Sequence, residues 1–550
     1  MSGYTPVSTH TVENQVPEMG DVNWFEGDKV LQSLTTGHGA NAHRVRLSDF
    51  GAILGSSVYR EHGRLANVYP PVLNTHDRFG HRIDEVAFHP SYHALMQQAK
   101  EAGMHSLPWT TKTGGHVAHT AMLYMLTQTE AGVCCPITMT YAGVPTLRHH
   151  TDWFAAWGDK VCDASYDQRH IPASEKSSLM LGMAMTEKQG GSDVRANRTQ
   201  ATHLSGDTYT LRGHKWFCSA PMSDGFFTLA QTSKGLTCFL VPRFLPDGTK
   251  NRLYIQRLKD KVGNRSNASS EIEYDNTWAV RIGDEGRGVP TIIEMVHHTR
   301  LDCTTAAVGL MRQSLVQAVH HAQHREVFGK KLIDQPLMRH VLMELAVEWE
   351  ASMAMVFRIA ESYDHADNPE EQAFSRLAVA IGKYWTNKRC VPFVGEAMEC
   401  LGGAGYVEES ILPRLYREAP LNGIWEGSGN VICLDVLRTM QKEPNSVAHF
   451  MQLLSGTRGL NGHYDAVFEQ VHQALKATRT MPESQWLARW LVEHLGLLLQ
   501  GHQLLTSGDP IVAEQFCALR LSAQTGSRAF GASKMVDASV VEHVLSRTKG

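Results

Sequence analysis

Apolar residues return at steps of three and four through the second half of the chain. Ala307, Leu310, Met311, Leu315, Ala318, Val319 and Ala322 form one such stripe, and Met338, Val341, Leu342, Leu345 and Trp349 form another. That spacing places each set on one face of a helix, so long helices with a buried face are predicted beyond Gly288. Between about Leu181 and Arg281 the pattern shortens to β-rich runs, TYTLRGHKWFC, FFTLAQT, LTCFLV and EIEYDNTWAV, separated by Gly, Asp, Asn and Ser. These predict a small antiparallel β-domain. Residues from about Asp21 to Ser178 read mainly as helices. After Met440, Pro444-Asn445-Ser446 marks a linker, and SQWLARWLVEHLGLLLQGHQLL reads as helical again. The predicted organisation is an N-terminal helical domain (1–180), a middle β-domain (181–285), a helical domain (286–440) and an additional helical domain (441–550).

Composition changes this picture little. The 550 residues suit several domains, and 42% hydrophobic with 20% charged residues describes a folded globular chain. A net charge of -4 provides no overall positive field for nucleic acid or an anionic membrane, so any such partner needs a local patch. Ten cysteines include no CxxC pair, which suggests a reducing cytoplasm. The first 25 residues lack a signal-peptide pattern, and no apolar run approaches the ~18 residues of a membrane span.

Several familiar motifs are missing. There is no GxGxxG and no GxxxxGK[ST], and Val194 stands where a GxSxG hydrolase elbow around Ser192 needs glycine. His320 and His324 share a helical face, but no carboxylate completes a metal site, so no metal is expected.

Other segments carry chemistry. Gly190 and Gly191 let backbone approach a ligand closely, and Ser192 can donate to a phosphate or flavin oxygen; a plain glycine turn is the simpler reading. Trp216 alone suits a core aromatic. The ordered set MTEKQGGSDV (185–194), GHKWF (213–217), HREVFGKKL (324–332), LGGAGY (401–406) and IWEGSGNV (424–431) resembles the acyl-CoA dehydrogenase superfamily of flavoproteins, over roughly residues 50–440. LKDKVGNRSNAS, QPLMRHVL and PRLYREAP, with the C-terminal extension, resemble its DNA alkylation-response branch.

The resemblance implies a mainly α fold: an N-terminal helical domain, a middle β-domain and a four-helix bundle, with the helical extension appended, assembled as a homotetramer. It implies FAD, contacted by Met185, Thr186, Gly190, Gly191 and Ser192. Trp216 and Phe217 would cover one flavin face, with Cys218 and Ser219 near its reactive edge. Arg325 and Phe328 would reach the adenosine half from a neighbouring subunit. Gly402 and Gly403 would turn against the cofactor, with Glu399 standing where the family often has glutamine. Ile424, Trp425, Gly427, Ser428 and Asn430 complete the cofactor set. Glu426 is implied as the base that removes the α-proton of an acyl thioester, with Trp425 and Ile424 supplying its burial. Arg300 either lines this site or pairs with Asp302.

The branch also implies binding to double-stranded DNA without sequence preference, with Arg438 at a DNA-facing position; Arg520 and Arg528 are lesser candidates for phosphate contact. Three functions stay open: a DNA-binding flavoprotein that oxidises or inactivates alkylating agents, a metabolic dehydrogenase for a short or branched acyl-CoA, and a DNA-protective scaffold with a non-catalytic flavin.

Overall fold

The computed structural model describes residues 9–477, 481–523 and 538–548. It opens with helices α1 (Lys29–Gly37), α2 (Arg44–Gly55) and α3 (Ser57–Val68), then a hairpin, β1 (Val72–His76) and β2 (Arg82–Ala87). Five helices follow: α4 (Pro90–Glu101), α5 (Leu107–Thr110), α6 (Gly115–Thr129), α7 (Cys134–Leu147) and α8 (Thr151–Cys162). The hairpin is a departure from the mainly helical reading of this region. Asp77 closes its turn by accepting from the backbone N–H groups of Phe79 and His81, a side-chain turn that a helix-period reading overlooks.

The middle of the chain forms β3 (Leu181–Ala184), β4 (Gln200–Ser205), β5 (Thr208–Ser219), β6 (Gly225–Thr232), β7 (Gly235–Pro242), β8 (Leu253–Leu258) and β9 (Ser269–Ile282). They make one seven-stranded sheet, ordered β3-β6-β4-β5-β9-β7, with β8 on β9 and β6 also paired to β7. The pairing is mainly antiparallel, as expected, but β3 runs parallel to β6. That arrangement delivers the chain directly from β3 into the segment 185–194.

The stripe from Ala307 to Ala322 lies in α9 (Gly288–His324), a 37-residue helix packed against α6 and α7 and against two later helices. A short hairpin, β10 (Glu326–Val327) and β11 (Lys330–Lys331), turns the chain into α10 (Pro336–Asp364) and α11 (Pro369–Cys400), which complete the contacts of α9. Next come α12 (Gly403–Tyr406), α13 (Leu412–Glu418) and α14 (Gly429–Lys442), then α15 (Pro444–Ser455), α16 (Gly462–Lys476), α17 (Met481–Ser507), α18 (Pro510–Phe516) and α19 (Ala538–Ser546). Helices α15 to α19 share one continuous apolar core with the bundle, in which Phe450, Tyr464, Leu495 and Val544 belong to the same cluster as Phe374 and Trp385. Trp385 donates to Gln500 at 2.8 Å, and Gln500 donates in turn to Ser352 at 3.1 Å. Among the described residues no helix is long and apolar enough to cross a membrane.

Candidate active site

The segment after β3 is anchored by a buried carboxylate. Glu187 is fully enclosed with Lys215, whose ammonium lies 2.9 Å away. Further hydrogen bonds reach it from the Arg198 and Thr199 backbone N–H groups, the Thr199 hydroxyl and the Gln189 amide. Burial alone would raise its pKa, but Lys215 and these donors bring it down to about 2. Trp216 donates its backbone N–H to the Thr186 carbonyl at 2.7 Å, tying the segment to β5. Gly190 has φ +136, which favours glycine, and a Cβ on Gly191 would lie 2.3 Å from the Thr186 hydroxyl oxygen, so a side chain there must displace that of Thr186.

On β5, Trp216 is half-buried and Phe217 is 50% exposed. Lys259 sits 3.4 Å from the Trp216 ring centroid, with Lys188 and Arg257 also near that ring. The strand places Cys218 differently from expectation. A register irregularity between Lys215 and Cys218 turns the thiol into the apolar core, in the cluster that holds Leu211 and Phe226. Ser219 instead meets Ser269 at 3.1 Å.

The second half of the site is the loop before α14. Glu426 adopts φ +57, a left-handed conformation that costs energy in a residue with a Cβ. Arg300 donates to its carbonyl at 3.2 Å and Lys383 donates to the Gly427 carbonyl at 2.6 Å. Arg300 is held by Asp435 at 2.7 Å, and Arg376 shares that carboxylate. The Arg300–Asp302 alternative is therefore set aside, because Asp302 pairs with His119 at 2.9 Å. The Thr299 hydroxyl lies 2.9 Å from Glu426 Oε2. Desolvation raises the Glu426 pKa above its ordinary value; the hydrogen bond from Thr299 and the charges of Lys383 and Arg300 moderate the rise.

Trp425 is partly buried and donates its indole N–H to Asn422 at 2.7 Å. Both Trp425 and Met185 pack on the same apolar cluster, which contains Cys135, Met139, Ile292 and Met295. Ile424 does not help bury Glu426 as expected; it is 63% exposed. Ser428 caps α14 by its backbone conformation alone, and Asn430 accepts from Arg489 of α17 at 2.9 Å.

The other residues expected at the cofactor lie elsewhere. About 38 Å of helix separates Thr299 from His324, which puts Arg325 and Phe328 at the far end of α9. Phe328 is 95% exposed with φ +54. Glu399, Gly402 and Gly403 follow α11 beyond Lys383 by about 26 Å of helix, and all three are exposed.

The DNA candidates divide three ways. Arg438 is exposed on α14. Arg520 points inward instead: its guanidinium lies 2.6 Å from the fully buried Glu348, which Arg389 also pairs. A cation committed to a buried carboxylate is not free for phosphate. Arg528 lies outside the described residues.

Sequence reasoning missed the Glu187–Lys215 strut, Lys383, and the support of Arg300 by Asp435. The first had a signal, since both charged residues stand inside the quoted motifs. The others come from distant segments with no local mark.

The donor set fits a flavin nucleotide. Among the described residues no intramolecular hydrogen bond engages the Thr186 or Ser192 hydroxyl or the Trp216 indole N–H. Cβ atoms built on Gly190, Gly402 and Gly403 would meet nothing within 4 Å, leaving backbone open to a ligand.

Comparison with known proteins gives a consistent result. Residues 14–168 match the adaptive response protein AidB N-terminal domain, residues 182–277 the acyl-CoA dehydrogenase middle domain, and residues 286–441 the acyl-CoA dehydrogenase C-terminal domain. The chain is 42% identical to the putative acyl-CoA dehydrogenase AidB of Escherichia coli K12, across 94% of this chain and 96% of that protein. It is 34% identical to acyl-CoA dehydrogenase family member 11 of Caenorhabditis elegans, across 78% and 72% of the two. The crystal structure of C. elegans ACDH-11 in complex with C11-CoA superposes with a TM-score of 0.84 at 28% identity, covering 94% of each chain. The chain belongs to the acyl-CoA dehydrogenase family, in the branch carrying the AidB N-terminal domain, and is an FAD-dependent oxidoreductase of that type.

Proposed function

We propose that Glu426 is the base that removes the proton from the carbon next to the carbonyl of an acyl-CoA thioester. The observation that carries this reading is a desolvated carboxylate in a strained backbone, its loop pinned by Arg300 and Lys383 and its neighbour Trp425 packed on the same cluster as Met185. Raised pKa and fixed position are the two properties a carboxylate base needs. Bound FAD supplies the acceptor for the hydride from the adjacent carbon. Thr186, Ser192 and Trp216 offer it uncommitted donors, and the Glu426 backbone N–H would polarise the thioester carbonyl.

Arg325, Phe328, Glu399, Gly402 and Gly403 lie too far along their helices to serve the same site, so a second copy would supply them within a homotetramer. Ten unpaired thiols suit the cytoplasm. An acyl-CoA is the substrate class, and isovaleryl-CoA, a short branched member, is the first to test.

The test is anaerobic bleaching of the flavin band by isovaleryl-CoA. Glu426→Gln should retain FAD and lose the reduction rate by about 10²–10⁴-fold. An undiminished rate removes Glu426 from the mechanism and requires another base, whereas a flavin that no acyl-CoA bleaches in the parent protein favours a non-catalytic flavin in a protective scaffold.

A role in the alkylation response through non-specific binding of duplex DNA is a second reading. It is supported by the AidB relationship and by the exposed Arg438. Arg438→Glu in the full chain should weaken binding of short duplexes to a similar extent whatever their sequence. It should also reduce the slope of log affinity against log salt by about one. Unchanged gel shifts across a salt series would exclude Arg438 as a contact.

A further inference from the structure

Thr299 presents one hydroxyl proton to two acceptors. Its Oγ1 lies 3.0 Å from the Val296 carbonyl oxygen, one turn back on α9, and 2.9 Å from Glu426 Oε2. A hydroxyl has a single hydrogen to donate and lone pairs to accept with, whereas a backbone carbonyl only accepts. Both contacts cannot be donations at once. Two arrangements satisfy the geometry. With Glu426 ionised, the hydroxyl hydrogen points at Oε2. With Glu426 protonated, the carboxyl O–H donates to Oγ1 and the hydroxyl hydrogen points at Val296. Neither arrangement requires a heavy atom to move.

We propose that Thr299 is a positioning residue whose hydroxyl turns between Glu426 and the Val296 carbonyl as Glu426 takes up and releases its proton. This rests on the reading of Glu426 as the base. The proton taken up comes from the thioester α-carbon, whose bonding electron pair remains with the substrate; on release, the proton passes to solvent. Over one cycle Thr299 gains and loses nothing.

The surrounding groups explain why such a device is useful. Arg300 from α9 and Lys383 from α11 donate to the carbonyls of Glu426 and Gly427 rather than to the carboxylate; Arg300 only donates, and Lys383, whose pKa burial lowers to about 8, keeps N–H groups to donate with or without its charge. They fix the loop in either protonation state. Cys303 from α9 and Cys135 from α7 also face Glu426, and burial pushes both thiols up, to about 11 for Cys135, so they stay neutral. Among the described residues, the side-chain hydrogen bond to the carboxylate comes from Thr299. A fixed cation in that place would hold Glu426 ionised. An apolar residue would leave it unpaired in a desolvated site, where an unsatisfied polar group is costly.

The experiment is the pH profile of flavin reduction by isovaleryl-CoA under single-turnover conditions, with bound FAD measured in parallel. Thr299→Val keeps the branched shape and removes the hydroxyl. It should raise the pKa of the acid limb by about one unit, so the rate falls about tenfold below the limb and only a few-fold on the plateau. FAD content should be unchanged. Thr299→Ser should restore the limb to its original place, and Thr299→Ala repeats the measurement should a buried valine disturb the helix.

An unmoved limb in Thr299→Val and Thr299→Ala, with Glu426→Gln inactive, overturns the hydroxyl's role and leaves the base in place. An equal loss of rate at every pH marks packing only and also overturns it. A fully active Glu426→Gln brings down the reading of the base itself.

Discussion

Glu187 and Glu426 occupy the two most informative motifs of the chain and have opposite surroundings. Glu187 accepts five hydrogen bonds, one of them from a buried lysine, and its pKa falls to about 2. Glu426 has one side-chain donor on its carboxylate, while the nearby cations are spent on backbone carbonyls, and its pKa rises. Desolvation is the first influence on both. The difference lies in how many donors aim at the charge itself. One carboxylate is thereby held ionised as a strut under the segment 185–194. The other remains able to exchange a proton, the division of labour seen wherever two acids in one site have separated pKa values.

The comparison breaks most severely at the strut. Lys215→Met leaves Glu187 enclosed without its counter-ion and should cost about 3–5 kcal/mol. FAD content should fall with it, because Thr186 to Ser192 hang from that carboxylate. Glu187→Leu combined with Lys215→Met should recover much of the loss, since no buried charge then remains unpaired. Denaturant midpoints and flavin absorbance check both variants. A Lys215→Met protein as stable as its parent would refute the strut.

Acid separates the two residues next. Glu187 has its pKa depressed on folding, so its stabilisation is complete above the ordinary value of 4.5 and is lost as pH falls through about 2. Glu426 has the reverse sign. Its raised pKa favours the folded state below 4.5, and that contribution is lost as pH rises through the folded value. Glu426→Gln should therefore be more stable than the parent at neutral pH and lose the advantage in acid, while Glu187→Gln loses stability at neutral pH. Stability curves with the same slope for both variants would erase the distinction.

How far the sequence foreshadows this depends on the range of each interaction. The glycines of 190–191 and the aromatics of 216–217 act within a few residues, and the bundle helices follow from apolar spacing, so these were legible. The burial of the Cys218 thiol was not legible, because the register irregularity after Lys215 breaks the two-residue alternation of a strand. Arg520 was misread because its partner Glu348 lies 172 positions away, and no local pattern links them. Asp435 and Lys383 were overlooked for the same reason: Asp435 pairs with Arg300, 135 positions away, and Lys383 reaches the Gly427 carbonyl from 44 positions away. Glu426 itself was recognisable, but the environment that raises its pKa was not.

The smallest expected effect tests how rigidly the strut holds its loop. A methyl group on Gly191 would sit 2.3 Å from the Thr186 hydroxyl oxygen and 3.0 Å from its methyl carbon. Something must yield, and the Glu187 bonds leave the backbone little room, so the Thr186 side chain should rotate. Gly191→Ala should therefore change global stability by no more than about 1 kcal/mol but weaken FAD several-fold by moving one of its donors. Pairing it with Thr186→Ala removes the colliding atoms, and the double variant should bind FAD no worse than Thr186→Ala alone. If instead the two losses simply add, the backbone has shifted, and the loop is softer than five hydrogen bonds on Glu187 imply.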